Sequence, residues 1–167
     1  MLKNIILVAA LSLSSQAFAL NDGEIVKVVL TANEGEKDMA EVAVKKAQNQ
    51  SVKDFANMMV QEHKGNTTEL KALAKQEKID DKKSDLSKSL EKDADTWMKD
   101  IKKADKAAFD KTYISAQVTA HQKVLTTLDA TLIPQATNTA LKQKLQKTRE
   151  DVAKHLAHAQ EIQSKSQ

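Results

Sequence analysis

The stretch FDKTYISAQVTAHQKVL, residues 109–125, has the composition of a helix, yet it carries a histidine, His121, within its apolar spacing. Apolar residues recur here at alternating intervals of four and three, which is the spacing of the buried face of a helix in a left-handed bundle. Continued to residue 132, this face consists of Ile114, Val118, His121, Leu125, Leu128 and Leu132. The stretch therefore predicts a buried helix with one polar side chain in its core.

Two other segments repeat the same spacing. The first gives Val52, Ala56, Met59, His63, Asn66, Leu70 and Leu73. The second gives Leu141, Leu145, Thr148, Val152, His155, Ala159 and Ile162. The chain has one proline and three glycines in 167 residues and is rich in good helix formers, so the sequence predicts an all-α fold.

Five helices are expected from this spacing and from residues that start or stop helices. Ser51 is predicted to cap the second helix, Pro134 to end the fourth, and the polar stretch KIDDKKSD to connect the second and third. For the first helix, the sequence leaves open a break at residues 33–35. The predicted spans are Asp22 to Gln48, Ser51 to Gln76, Ser84 to Lys103, Lys106 to Leu132 and Asn138 to Gln163.

Residues 1–19 have the pattern of a secretory signal peptide. Lys3 is followed by a short apolar run and then by Ala17-Phe18-Ala19, a small-x-small cleavage signal. The apolar run is too short to span a membrane. We therefore expect cleavage before Leu20, a mature domain of residues 20–167 without a transmembrane anchor, and a periplasmic or secreted location.

The composition excludes several classes of protein. There is no cysteine, which excludes a lipid anchor on cysteine, disulfides and thiolate metal sites. The net charge of +3 arises from 26 basic and 23 acidic residues that are interspersed along the chain. No basic block with interleaved aromatic residues occurs, so a nucleic-acid partner is not expected. A protein partner is not identified by the sequence.

Three of the four histidines, His63, His121 and His155, fall on the predicted buried faces near the middle of their helices. Mid-helix positions of antiparallel helices meet in one layer, and imidazole nitrogens bind zinc, copper or iron(II). A second interpretation is equally compatible with the spacing. The layer would then be a core of neutral histidines that form hydrogen bonds with neighbouring polar residues, namely Asn66, Thr67, Tyr113 or Gln117.

The carboxylates that a di-iron bundle requires are absent from the expected places. Such bundles carry a Glu-x-x-His motif on two helices, whereas Val60 precedes His63 by three residues and Val152 precedes His155. Asp110 is about 16 Å from His121 along the helix axis and is expected to serve the amino-terminal end of its own helix. Oxygen-activating di-metal chemistry is therefore not predicted, and no nucleophile turn, phosphate loop or His-Glu-x-x-His motif occurs.

The segments AEVAVKKAQNQSVKDFANMMVQEHKGNTTEL, FDKTYISAQVTAH and HLAHAQ resemble a bacterial family, domain of unknown function 4142, that is regarded as ferritin-like and largely exported. The resemblance extends from about residue 21 to residue 160, with Glu62 where many members carry aspartate. It implies an antiparallel four-helix bundle in which helix 3 is a crossover, and we expect that helix to cross one end. The family positions matched by this chain are Glu41, His63, Phe109, Asp110, Tyr113, His121 and His155.

Three hypotheses of function follow. The first is an exported bundle that binds a single zinc or copper ion through Glu41, His63, His121 and His155. Asp110, Tyr113 and Gln117 would have supporting or structural roles. The second is a non-enzymatic envelope stress or interaction protein with a hydrogen-bonded histidine core. The third, which we favour least, is a hydrolytic or oxidative enzyme that uses Tyr113 or Asp110.

Overall fold

The computed structural model describes residues 19–165, and this part of the chain is all-helical, as predicted. The predicted signal peptide lies outside the described residues except for Ala19. The five long helices of the described part are α1 (Asp22–Lys46), α2 (Gln50–Gln76), α3 (Asp85–Lys103), α4 (Phe109–Thr127) and α5 (Thr139–Lys165). A π-helical turn, Leu128–Leu132, and a last short turn, Ile133–Gln135, extend α4.

Among residues 19–165, no helix combines the length and the apolar character that a bilayer span requires.

Helix α1 is continuous, so the break left open at residues 33–35 does not form. Its start is fixed by a capping box between Asn21 and Glu24. Asn33 is buried inside the protein, and Gly35 faces the third helix so closely that an added Cβ would lie 2.8 Å from the Cβ of Ala94. Asn33 and Gly35 are therefore explained by packing, and they do not break the helix.

The starts of α2 and α4 differ from the prediction, because another residue caps α2 and a turn precedes α4. Asn49, not Ser51, caps α2: its side chain accepts hydrogen bonds from the backbone N–H of Ser51 at 2.8 Å and from the Ser51 hydroxyl at 2.7 Å. Asp105 accepts from the backbone N–H groups of Ala107 and Ala108. This turn delays the start of α4 by three residues relative to the prediction.

The sequence predicts that Pro134 ends the fourth helix. The helix instead continues through Pro134, which lies in its last turn. Proline has no N–H, and its ring collides with the carbonyl four residues earlier in a regular α-helix. Here the preceding turn is π-helical, and the N–H of Ile133 donates to the carbonyl of Leu128, five residues back. The wider turn accommodates the proline, and the helix continues to Gln135.

Helices α1, α2, α5 and α4 are neighbours in that order, and each neighbouring pair runs antiparallel. The core between them consists of two apolar clusters. Phe55, Met59 and Tyr113 belong to the first, and Leu70 and Leu128 belong to the second. A polar layer lies between the two clusters, and it contains the three histidines that the sequence predicts to be buried.

Helix α3 does not cross one end of the helical core, and that prediction is wrong. It lies lengthwise along α1 and α4. Leu90 and Ile101 are buried, and Asp93 forms an ion pair with Lys123 on α4. The reason is that α3 carries an apolar stripe along its length, which is buried only when the helix lies flat against its neighbours.

Asp110 binds the loop between α1 and α2. Its carboxylate oxygens accept hydrogen bonds from the backbone N–H of Gln48 at 3.0 Å and of Asn49 at 2.7 Å. It lies in the first turn of α4, as predicted, but the N–H groups it satisfies belong to this loop. The contact ties the start of α4 to the start of α2.

Asp22 makes the corresponding contact at the opposite end of the protein. Its carboxylate accepts from the backbone N–H groups of Thr137 and Asn138, both at 2.9 Å, in the loop that precedes α5. The two loops share the sequence Ala-x-Asn, at residues 47–49 and 136–138. The α1–α2 and α4–α5 hairpins are therefore tied together by matching contacts.

We expect Asp110→Ala and Asp22→Ala each to lower the free energy of unfolding by about 1–2 kcal/mol, because each leaves two backbone N–H groups without their charged acceptor. Urea denaturation measures the change. Asp95→Ala, at an exposed position of α3, is the matched control and should lie within about 0.5 kcal/mol of wild type. Equal effects of the three substitutions would contradict the structural role of these carboxylates.

Candidate metal centre

His63, His121 and His155 meet in one layer of the core, as the spacing predicts. They come from α2, α4 and α5 and are 6%, 1% and 6% exposed. Their ring centroids form a nearly equilateral triangle with sides of 5.8, 5.6 and 5.4 Å, and the rings are steeply inclined to one another. One ring nitrogen of each histidine lies within 4.8 Å of one ring nitrogen of each of the others.

The outer nitrogen of His63 is held by a chain of side-chain amides. Nδ1 of His63 lies 3.1 Å from Oδ1 of Asn33, and the same oxygen accepts a 3.3 Å hydrogen bond from Nδ2 of Asn66. The Asn66 oxygen in turn accepts from the hydroxyl of Thr148. Because Oδ1 of Asn33 is an acceptor, Nδ1 of His63 must carry the proton.

The outer nitrogens of the other two histidines also face acceptors. Nδ1 of His121 lies 2.9 Å from the backbone carbonyl of Gln117 and 3.5 Å from Oε1 of Glu36. Nε2 of His155 lies 2.6 Å from Oε2 of Glu62. Each of these ring nitrogens therefore donates its proton outward, towards a carbonyl or a carboxylate.

When the outer nitrogen of a neutral ring carries the proton, the inner nitrogen is a bare lone pair. The inner nitrogens are Nε2 of His63, Nε2 of His121 and Nδ1 of His155, and all three are buried without a hydrogen-bond partner among the described residues. Buried polar atoms normally have a partner, because an unpaired one costs free energy. Three converging imidazole lone pairs are the arrangement that a cation requires from histidine ligands.

The surroundings keep two of the rings neutral. Burial lowers the pKa of His63 well below its usual value, and His121 and His155 lower it further. Burial also lowers the pKa of His155, although its hydrogen bond to Glu62 partly opposes this change. The contact between His155 and Glu62 is therefore a hydrogen bond from a neutral ring to a carboxylate rather than an ion pair. Neutral rings are the form that binds metals.

The carboxylate that α1 brings to this layer is Glu36, and the structure does not bring Glu41 there. Glu41 is exposed, because five residues along a helix turn the side chain by about 140°. Glu36 is 4% exposed; burial raises its pKa, against smaller effects of His121 and Gln117. It lies on the Nδ1 side of His121, where it supports the ring instead of facing the inner nitrogens.

A signal for Glu36 is present in the sequence. The first helix has the same four-three alternation as the others, and all the residues on this face are buried. The face consists of Val29, Asn33, Glu36, Ala40, Ala43 and Ala47. Applying the spacing to this helix would have found both Asn33 and Glu36.

The remaining predicted residues lie around the layer rather than in it. The backbone carbonyl of Gln117 holds His121. The buried hydroxyl of Tyr113 has no hydrogen-bond partner among the described residues, and the centroid of its ring lies 6.4 Å from that of Phe55. Burial and the charge of Glu36 raise the pKa of Tyr113 well above its usual value. Asp110 is at the end of the core, bound to the α1–α2 loop, and does not reach the histidines.

The two sides of the histidine layer differ. On one side, the rings of His63 and His121 border an apolar cavity of about 20 Å³, which is enough for a single water. The π-helical turn that extends α4 helps to line this cavity. On the other side, His63 and His155 line a polar groove of about 200 Å³ between α2 and α5. The groove is thus the polar side of the histidine layer, and the cavity is its apolar side.

The chain belongs to the family described as Domain of unknown function (DUF4142), whose model matches residues 8–162. No curated protein and no solved structure gives a significant match.

We expect the metal-free protein to lose stability as the pH falls below about 6.5. The folded-state pKa values of His63 and His155 are lowered, so below the unfolded value the unfolded chain binds more protons and unfolding is favoured. The loss can reach about 1.4 kcal/mol per pH unit for each histidine until the folded-state pKa is reached. Urea denaturation between pH 7.5 and 5.5, with a chelator present, measures it.

His63→Leu should make this pH dependence shallower, because one buried titrating group is removed. A slope that is the same in wild type and His63→Leu would show that the layer is not the source of the pH dependence.

Proposed function

We propose that this protein is an exported metal-binding or metal-buffering helical bundle that holds one zinc or copper ion at His63, His121 and His155. The observation that carries the proposal is the orientation of the three rings. Each donates its outer N–H to an acceptor and turns its inner lone pair towards the other two. The three protein ligands differ from the four expected from the sequence, because Glu41 is remote.

A core satisfied by hydrogen bonds alone fits this geometry less well. A water at the centre of a triangle whose sides are at most 4.8 Å would lie no more than about 2.8 Å from each nitrogen, but it has only two protons for three acceptors. A zinc ion binds imidazole at about 2.0–2.1 Å, so each ring would move inward by no more than roughly 0.7 Å. An ion satisfies all three lone pairs at the cost of this small contraction.

The ligand set favours zinc or copper. Imidazole suits both ions, whereas magnesium, calcium and manganese prefer carboxylate and carbonyl oxygens. No carboxylate faces the inner nitrogens in the described residues: Glu36 and Glu62 both contact the outer sides of rings. Carboxylate–histidine pairs of this kind orient metal-bound imidazoles and raise their basicity.

The ferritin-like architecture and the exported location are further parts of the proposal. The antiparallel pairing of α1 with α2 and of α4 with α5, with α3 connecting the two hairpins, supports a ferritin-like bundle. The signal-peptide pattern of residues 1–19 supports export. In the periplasm or outside the cell, a buried three-histidine site would bind and buffer a transition-metal ion.

Elemental analysis of protein purified without a histidine tag and loaded with zinc or copper should give one ion per chain. His121→Ala should abolish stoichiometric binding, whereas Glu41→Ala should retain it. The bound ion should also raise the melting temperature, and a chelator should reverse the rise, because binding to the native state alone stabilises it. Protein that takes up no stoichiometric metal and whose melting is unaffected by zinc and copper would instead favour the hydrogen-bonded core of an interaction protein.

Glu62→Ala should weaken metal binding by about 10- to 100-fold, because it removes the acceptor that orients His155. A competition titration against a chromogenic chelator measures the affinity. The control is Glu69→Ala. Glu69 lies on the same face of α2 as Glu62, but its carboxylate binds Lys144 and no histidine. Equal losses in both variants would show that Glu62 acts through its charge alone and not through His155.

A further inference from the structure

The groove between α2 and α5 leads from the surface to the histidine layer. Its floor includes His63 and His155, two of the three residues whose inner nitrogens are buried and unpartnered. One wall, on α2, is formed by residues 62, 65, 66 and 69, and the other, on α5, by residues 144, 147, 148, 151 and 152. The groove therefore brings solvent to the rings of two of the three histidines, next to the proposed metal site.

Gly65 in the α2 wall has no packing reason to be glycine. A Cβ added there would meet nothing within 4 Å, in contrast to the Cβ of Gly35, which would collide with Ala94. Its backbone is helical and has no positive φ. Glycine in a helix interior is destabilising relative to alanine. Gly65 therefore leaves open space at the edge of the groove, and a large side chain placed there would narrow it.

The ligand count gives the groove a purpose. Zinc with three protein ligands keeps a fourth position for an exogenous ligand, whereas a site with four protein ligands is closed. Glu41 is remote and Glu36 lies behind His121, so no fourth protein ligand faces the inner nitrogens among the described residues. The opposite side of the layer is bordered by a small apolar cavity, which does not favour a charged or strongly polar ligand.

We propose that the α2–α5 groove admits the ion and leaves its fourth position open to a small exogenous ligand, water or a monodentate anion. This inference rests on the proposed metal site. The three imidazoles are neutral ligands, so a divalent ion keeps its full charge and attracts an anion. Three carboxylates, Glu62, Glu69 and Asp151, and two lysines, Lys144 and Lys147, line the same groove, and Lys144 is paired with Glu69 at 2.6 Å. The attraction for an anion therefore comes from the ion itself, whereas the carboxylates favour entry of the cation. With the ion held by His63, His121 and His155, its fourth position would be available to water or to an anion that enters through the groove.

The test uses the full mature chain loaded with cobalt(II), whose visible absorption reports coordination, and sodium azide as the anion. Azide should change the spectrum of the wild type. Gly65→Trp should abolish this change and slow cobalt association by about tenfold or more, because it narrows the path to the site. Gly65→Ala should keep both properties and raise the melting temperature. Thr68→Trp, exposed on α2 and outside the groove, is the matched control and should behave as wild type.

Lys147→Trp narrows the groove from the α5 wall and replaces Gly65→Trp if that variant does not fold. A cobalt-loaded wild type whose spectrum is unchanged by azide would overturn the inference and leave the metal site intact. The same holds if the groove variants bind cobalt and azide like the Thr68→Trp control. A wild type that binds no cobalt, zinc or copper would overturn the metal site itself, and the inference with it.

Discussion

The structure depends on one constraint: three imidazoles are buried between two apolar clusters, and their polar atoms must be satisfied there. Burying a polar group without a partner costs free energy, so each ring needs an acceptor on its outer side. The Asn33 amide, the Gln117 carbonyl and the Glu62 carboxylate supply the three acceptors. Once these are in place, the inner lone pairs have a fixed direction. The hydrogen bonds that stabilise the fold thereby also define the candidate metal centre.

The helices and the buried faces could be predicted from the sequence, because the four-three spacing directly reflects packing against a core. The details that failed depend on tertiary contacts. The sequence leaves open a helix break at Asn33, because helix propensity does not show that its side chain accepts a hydrogen bond from His63. Helix α3 is expected to cross one end because the family resemblance implies a crossover, yet it lies along the core with Leu90 and Ile101 buried. Pro134 looked like a stop, but the π-helical turn before it relieves the clash.

The sequence predicts the three histidines of the candidate site but not the carboxylates that contact them. A buried face allows few polar residues, so histidines on three such faces are a strong signal. Glu41 was taken from family resemblance, which gives a position in a motif but not its side of the helix. The spacing of α2 places Glu62 outside the buried face, and the residue is exposed. Its carboxylate contacts His155 only because α5 packs beside α2. Contacts between helices that are far apart in sequence cannot be read from one helix's periodicity.

The two hairpins differ at the histidine layer although their frames match. Asn33 follows Asp22 by eleven residues, as His121 follows Asp110, and Asn66 follows Asn49 by seventeen, as His155 follows Asn138. Each asparagine thus occupies the position of a histidine in the other hairpin. The first hairpin therefore gives His63 and two amides: Asn66 donates to Asn33, and Asn33 accepts from His63, while the second hairpin gives two imidazoles. A di-iron bundle needs inward carboxylates from its helices, whereas the cluster of possible ligands among the described residues consists of the three histidines alone. The asparagines thus hold a ring in place at the positions where the other hairpin supplies the candidate ligands.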